Sequence, residues 1–177
     1  MPLVIAHDGY PRWLGSGADF LEVDIRRNAQ GEFVLAHDAP RPESTRLGEA
    51  IRSDAPLQLD LKESGYEIEL MSQLLNVRFV VTTPHRESIE RIKSRFPRVK
   101  AGLTRTTPER SGADFLALDQ RYVDDDALSF CERLAIPVWI WTVDDAKLLK
   151  RWLADMRIAA VITNRPALAL RIRSGRA

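Results

Sequence analysis

One cysteine, Cys131, stands in 177 residues, so an internal disulfide framework and a multi-cysteine metal site are both excluded. An excess of either charge is also missing. Lys and Arg total 26 against 25 Asp and Glu, a formal charge of +1. Such a balance offers no global attraction to nucleic acid or to an anionic membrane surface, and neither partner is expected. No apolar run approaches the roughly 20 residues that span a bilayer. The opening Met-Pro-Leu-Val-Ile-Ala-His-Asp lacks both the basic stretch and the cleavage site of a secretory signal. A cytoplasmic protein is the expectation. What is present, 45% hydrophobic and 29% charged residues, suits one globular domain over residues 1–177.

Short β-rich runs recur, most of them separated by helical patterns. Strands are expected near Leu3–His7, Phe20–Ile25, Leu57–Lys62, Phe79–Thr83, Lys100–Leu103, Phe115–Asp119, Val138–Val143 and Ala160–Thr163. An extra extended piece, Glu32–His37, follows the Gln30-Gly31 turn. Amphipathic helices fit Tyr66–Leu75, Arg86–Arg95, Asp125–Leu134, Asp144–Ala154 and Pro166–Arg173, with Asp144 and Pro166 as start signals. This alternation predicts a compact (β/α)₈ TIM barrel. Such barrels usually need at least about 200 residues, so something must be trimmed. Only Tyr10 to Asp19 join the first two strands, too few for a crossover helix with its loops. The first crossover helix is therefore missing or very short, and the link from Leu103 to Phe115 is short as well. An open doubly wound sheet is the structural alternative, and a homo-oligomer is one way to cover the thin side.

An internal repeat supports the barrel. Ser16-Gly-Ala-Asp-Phe-Leu-Glu-Val-Asp24 returns as Ser111-Gly-Ala-Asp-Phe-Leu-Ala-Leu-Asp119, identical at seven of nine positions. The copies fall on the second and sixth core strands, as two half-barrels require. Glu22 in the first copy is Ala117 in the second, so only the first holds an acidic pair.

Glu22 and Asp24, two apart on a strand, leave one face, with Leu21, Val23 and Ile25 on the other. Asp60 and Lys62 repeat the pattern against Leu57, Leu59 and Leu61. A half-exposed antiparallel strand would look the same. In a parallel barrel, however, helices take the aliphatic face, and the charged residues point inward near the strand C-termini, where barrel active sites lie. Three carboxylates converging there repel one another, and an all-oxygen set suits Mg²⁺ or Ca²⁺ better than Zn²⁺. His7 and His37 each close an apolar run at the same end. Singly, each reads as a structural histidine; together beside a cation they make a proton donor and acceptor pair. His85 reads as a surface or capping residue, and Trp13, Trp139 and Trp152 as packing. Trp141, nearer the C-terminal end of its strand, is placed to line a pocket.

Ile5-Ala-His-Asp-Gly9, Gly17-Ala-Asp-Phe-Leu-Glu-Val-Asp-Ile25 and Gly31-Glu-Phe-Val-Leu-Ala-His-Asp38 resemble the opening of the glycerophosphodiester phosphodiesterase family. Leu59-Asp-Leu-Lys62 resembles its acidic-x-Lys strand. Val138-Trp-Ile-Trp-Thr-Val-Asp144 and Val161-Ile-Thr-Asn-Arg-Pro166 resemble its last two strands. The resemblance implies a TIM barrel that cleaves phosphodiesters with a divalent cation. On it, His7 and His37 form the acid/base pair, Glu22, Asp24 and Asp60 hold the metal, Lys62 contacts the phosphate, and Trp141 lines the substrate pocket.

Several positions depart from the family pattern. His-Arg-Gly is His7-Asp8-Gly9 here, with Arg12 or Arg26 left to supply the lost cation. The Pro-Glu-Asn-Thr segment and first helix are absent, and the insertion that shapes the glycerol site shrinks to the stretch between Asp38 and Leu57. The third acidic ligand is Asp60 rather than Glu, as in the related sphingomyelinase D-type phospholipases. The leading expectation is a phosphodiesterase acting on glycerophosphodiesters or lysophospholipid-type substrates. The alternative is a catalytically weak or inactive barrel that binds a phosphorylated ligand.

Overall fold

The computed structural model describes residues 1–74 and 76–175. Strands β1 (Leu3–Ala6), β2 (Phe20–Arg27), β4 (Leu57–Leu61), β5 (Phe79–Thr83), β6 (Ala101–Arg105), β7 (Phe115–Asp119), β8 (Val138–Trp141) and β9 (Ile158–Thr163) pair in parallel around a ring. Contact of β1 with both β9 and β2, the latter through Ile5 opposite Phe20 and Ala6 opposite Leu21, closes it. The chain is a TIM barrel, and that closure excludes the open doubly wound sheet. The extra piece is β3 (Phe33–Leu35), which runs antiparallel along the end of β2 outside the ring. Helices α2 (Glu67–Ser72), α3 (Arg86–Arg95), α4 (Asp125–Arg133), α5 (Ala146–Ala154) and α6 (Pro166–Arg173) follow β4, β5, β7, β8 and β9.

Strand alternation sorts the core. Leu21, Val23, Ile25, Leu57, Leu59 and Leu61 point outward into one core with helical residues such as Leu70, Ile89, Ile92 and Trp152. Inward residues Ile5, Phe20, Val80, Phe115, Trp139 and Ile162 fill the barrel's lower half. Phe115 stacks on Trp139 with ring centroids 4.0 Å apart. Gly102 makes room for that stack, since a Cβ there would stand 2.1 Å from the Phe115 ring. Gly102→Ala is expected to lower stability by about 1–3 kcal/mol through overpacking. Urea unfolding of the two proteins checks this, because an unchanged midpoint would mean the ring can yield.

The two repeat copies mark the two crossovers that have no helix, β1–β2 and β6–β7. Each opens on the same turn, with Ser16 Oγ accepting from the Ala18 N–H and Ser111 Oγ from the Ala113 N–H. Asp19 accepts a hydrogen bond from the Val4 N–H, and Asp114 one from the Ala101 N–H, so each aspartate clamps its strand to the start of the preceding one. Arg173 pairs with Asp19, and Lys93 with Asp114 at 2.9 Å. Tyr10, Trp13 and Ala18 from the first link and Ala113 from the second pack on the outer core where a helix would lie.

Four expectations are corrected. The stretch between Asp38 and Leu57 contains a helix, α1 (Leu47–Arg52), whose Glu49 accepts from the Arg46 N–H. The expected strand Val138–Val143 ends at Trp141. Asp145, not Asp144, caps α5, accepting from the N–H groups of Lys147 and Leu148. The expected helix Tyr66–Leu75 is Glu67–Ser72, and Leu75 lies outside the described residues.

Candidate active site

Inward polar residues take over above the apolar floor. At the C-terminal rim they surround a cavity of about 380 Å³ lined by His7, Glu22, His37, Asp60, Lys62 and Trp141, together with Gln58, Thr82 and Thr104. Asp24, Asp8 and Tyr10 line a smaller adjoining cavity of about 260 Å³ that shares His37. Register explains the grouping: Glu22 is level with Gln58, and Asp24 with Asp60. One oxygen from each of Glu22, Asp24 and Asp60 lies within 4.8 Å of the others, a set that could hold a metal ion.

Lys62 spans two of these carboxylates, its Nζ 2.7 Å from Asp24 Oδ1 and 2.6 Å from Asp60 Oδ2. Burial alone would depress the ammonium's pKa, but Asp60 and Asp24 outweigh it and raise the pKa. Glu22 is held well above the usual carboxylate range, first by burial and then by repulsion from Asp24 and Asp60. Its Oε2 accepts from the Asp8 N–H at 2.9 Å. Asp8 adopts a left-handed φ of 45°, a conformation that short polar side chains tolerate. Three carboxylates and one ammonium leave two negative charges, which fits one hard divalent cation.

His7 is tied to the far end of the chain. Its Nδ1 lies 3.0 Å from Asn164 Oδ1, while Asn164 donates through Nδ2 and its backbone N–H to Asp144, at 2.8 and 2.7 Å. Burial would raise the Asp144 pKa, but the bonds from Asn164 and Thr163 outweigh it and lower it. An ionised Asp144 sets the Asn164 amide, so Asn164 Oδ1 must accept from a protonated His7 Nδ1. In the neutral ring this leaves Nε2 as the acceptor. Asp144, expected as a helix cap, is the anchor of this relay.

His37 is exposed at the mouth, its Nδ1 3.2 Å from Asp38 Oδ1. Arg26 holds the backbone beneath it, donating from Nε to the His37 carbonyl at 3.1 Å and pairing with Glu63 at 2.7 Å. Arg12 is not brought to the cavity; its guanidinium sits 4.8 Å above the Trp13 ring. Of the two proposed replacement cations, Arg26 is the one at the rim. Trp141 donates to the Ala117 carbonyl at 3.0 Å, which leaves its ring as the cavity wall. His85 reaches the Lys62 carbonyl at 3.3 Å, a structural contact. Gln58, Thr82, Thr104 and Asn164 were not expected at the site, and Asp144 was expected only as a cap; the inward face of β4 is the one signal that marks Gln58.

A closed parallel barrel with an acidic cluster and two histidines at its C-terminal rim is the class of structure described. No family model and no curated protein matches the chain. Solved structures share its fold almost end to end. A putative glycerophosphoryl diester phosphodiesterase from Agrobacterium tumefaciens superposes with a TM-score of 0.84 at 11% identity, covering 99% of this chain and 98% of that one. A glycerophosphodiester phosphodiesterase from Parabacteroides distasonis gives 0.82 at 19% identity, covering 99% and 98%. An Oleispira antarctica phosphodiesterase in complex with its product sn-glycerol-3-phosphate gives 0.81 at 18%, covering 98% and 97%.

Proposed function

We propose that the protein is a metal-dependent phosphodiester hydrolase acting on glycerophosphodiesters or lysophospholipid-type phosphodiesters. The convergence of Glu22, Asp24 and Asp60 with two histidines on one rim cavity carries this reading, and the shared fold with phosphodiesterases supports it. Glu22, Asp24 and Asp60 would hold Mg²⁺ or Ca²⁺, which when bound neutralises the phosphoryl oxygens as charge develops on them. Lys62 would turn from the carboxylates to the phosphate. His7, with Nε2 as acceptor, would take the proton from the attacking hydroxyl, whether water or a neighbouring substrate hydroxyl. The P–O bond to the alcohol breaks, and His37, its Nδ1 directed at Asp38, delivers a proton to the leaving oxygen. Trp141 would wall the substrate side.

Asn164→Ala is expected to lower kcat about tenfold to a hundredfold with little change in KM, because the His7 ring loses its orientation while the phosphate contacts stay. Steady-state kinetics on one substrate checks it; a rise in KM alone would place Asn164 in binding instead.

A second reading rests on Lys62. By spanning Asp24 and Asp60 it occupies oxygens a cation would need, which suits an inactive barrel that binds a phosphorylated ligand. A panel of glycerophosphodiesters and lysophospholipids with Mg²⁺, Ca²⁺ or Mn²⁺, repeated with chelator, separates the two. Cation-dependent cleavage supports the hydrolase, and phosphorus NMR then tells full hydrolysis from cyclic phosphate release. Phosphoester binding without cleavage, indifferent to chelator, supports the binder.

A further inference from the structure

Level with Glu22 and one inward step below Asp24 and Asp60, the cavity lining includes a buried acceptor without a partner. Gln58 is 2% exposed, and its Oε1 bonds to nothing among the described residues. Its orientation is not free. Thr82 Oγ1 gives its proton to Asp60 Oδ1 at 2.7 Å and so must accept from Gln58 Nε2, at 3.0 Å. The Thr82 bond to Asp60 therefore fixes the amide, with one Nε2 proton engaged and Oε1 left over. Gln58 sits two residues before Asp60 on β4, about 6.7 Å deeper along the strand. Thr104, Ala117 and Ile162, all uncharged, line the same cavity.

We propose that Gln58 is a specificity-determining residue whose Oε1 accepts a hydrogen bond from a hydroxyl on the alcohol arm of a phosphoester seated in this cavity. The inference rests on the hydrolase reading and goes beyond it by assigning the arm's chemistry to Gln58. An acceptor that is buried and cannot rotate demands a donor. A hydroxylated arm supplies one, and an alkyl arm of equal length leaves Oε1 unpaired and loses affinity. The three carboxylates already provide charge for a cation, and the neutral amide adds an uncharged acceptor for the substrate.

Titration calorimetry of the full chain with Mg²⁺ tests this using two phosphate monoesters of equal skeleton and charge, glycerol 3-phosphate and n-propyl phosphate. The wild type is expected to bind glycerol 3-phosphate about tenfold or more tightly. Gln58→Met, similar in length but without the acceptor, should reduce that ratio to within about twofold while Mn²⁺ affinity stays unchanged. Equal binding of both esters by the wild type overturns the inference without any variant, and leaves the phosphoester reading standing. A ratio that survives in Gln58→Met, or a matching loss of Mn²⁺ affinity, also overturns it. Binding of neither ester overturns the hydrolase reading and this inference with it.

Discussion

Replacing His37 by alanine is expected to cut kcat on a cleaved phosphodiester by about 10²–10⁴-fold, the usual contribution of a positioned proton donor. Stability should hardly change. The side chain is 71% exposed and its ring partner Asp38 is 95% exposed, so the substitution empties no core space. The Arg26 bond goes to the His37 carbonyl, which alanine keeps. A lost activity at an unchanged melting temperature would thus belong to chemistry rather than to folding. Added imidazole should restore part of the rate. Turnover within a few-fold of wild type would transfer the proton-donor role to another group at the mouth.

Glu22→Gln carries the second large effect, in opposite directions with and without cation. In the metal-free protein the Glu22 carboxyl is raised above its ordinary 4.5, by burial and then by Asp24 and Asp60. The folded state therefore binds this proton more tightly than the unfolded chain does. Its stabilising contribution is complete below the ordinary value and is lost as pH rises through the folded one. Metal-free wild type should accordingly melt lower as pH climbs from mildly acidic to neutral. Glu22→Gln, which cannot ionise, should flatten that slope and melt higher at neutral pH. Cation reverses the ranking: a ligand at a hundred times its Kd stabilises by about 2.7 kcal/mol, a gain the variant should lose together with turnover. Melting curves at several pH values, with Mg²⁺ and with chelator, read both effects. An equal cation-induced shift in the variant would remove Glu22 from the metal set.

Much of this was legible along the chain because it depends on local rules. Period-two alternation put Glu22 with Asp24, and Asp60 with Lys62, each pair on one face of its own strand whatever the fold. The repeat announced two equivalent strands, although its meaning, an aspartate clamp at each helix-less crossover, needed Val4 and Ala101 in place. The two adjacent aspartates Asp144 and Asp145 are interchangeable as caps until the backbone decides which faces the helix.

The linear order of residues thus sufficed for the strand faces, which follow from side-chain spacing within a few residues, and for the parallel architecture, which follows from the alternation of strands and helices. Ring closure, the relay from Asp144 through Asn164 to a histidine 157 positions away, the fixed amide of Gln58 and the exclusion of Arg12 belong to the folded molecule. Hydrogen bonds and charge pairs act over a few ångströms, and only the closed barrel brings such distant residues within that reach.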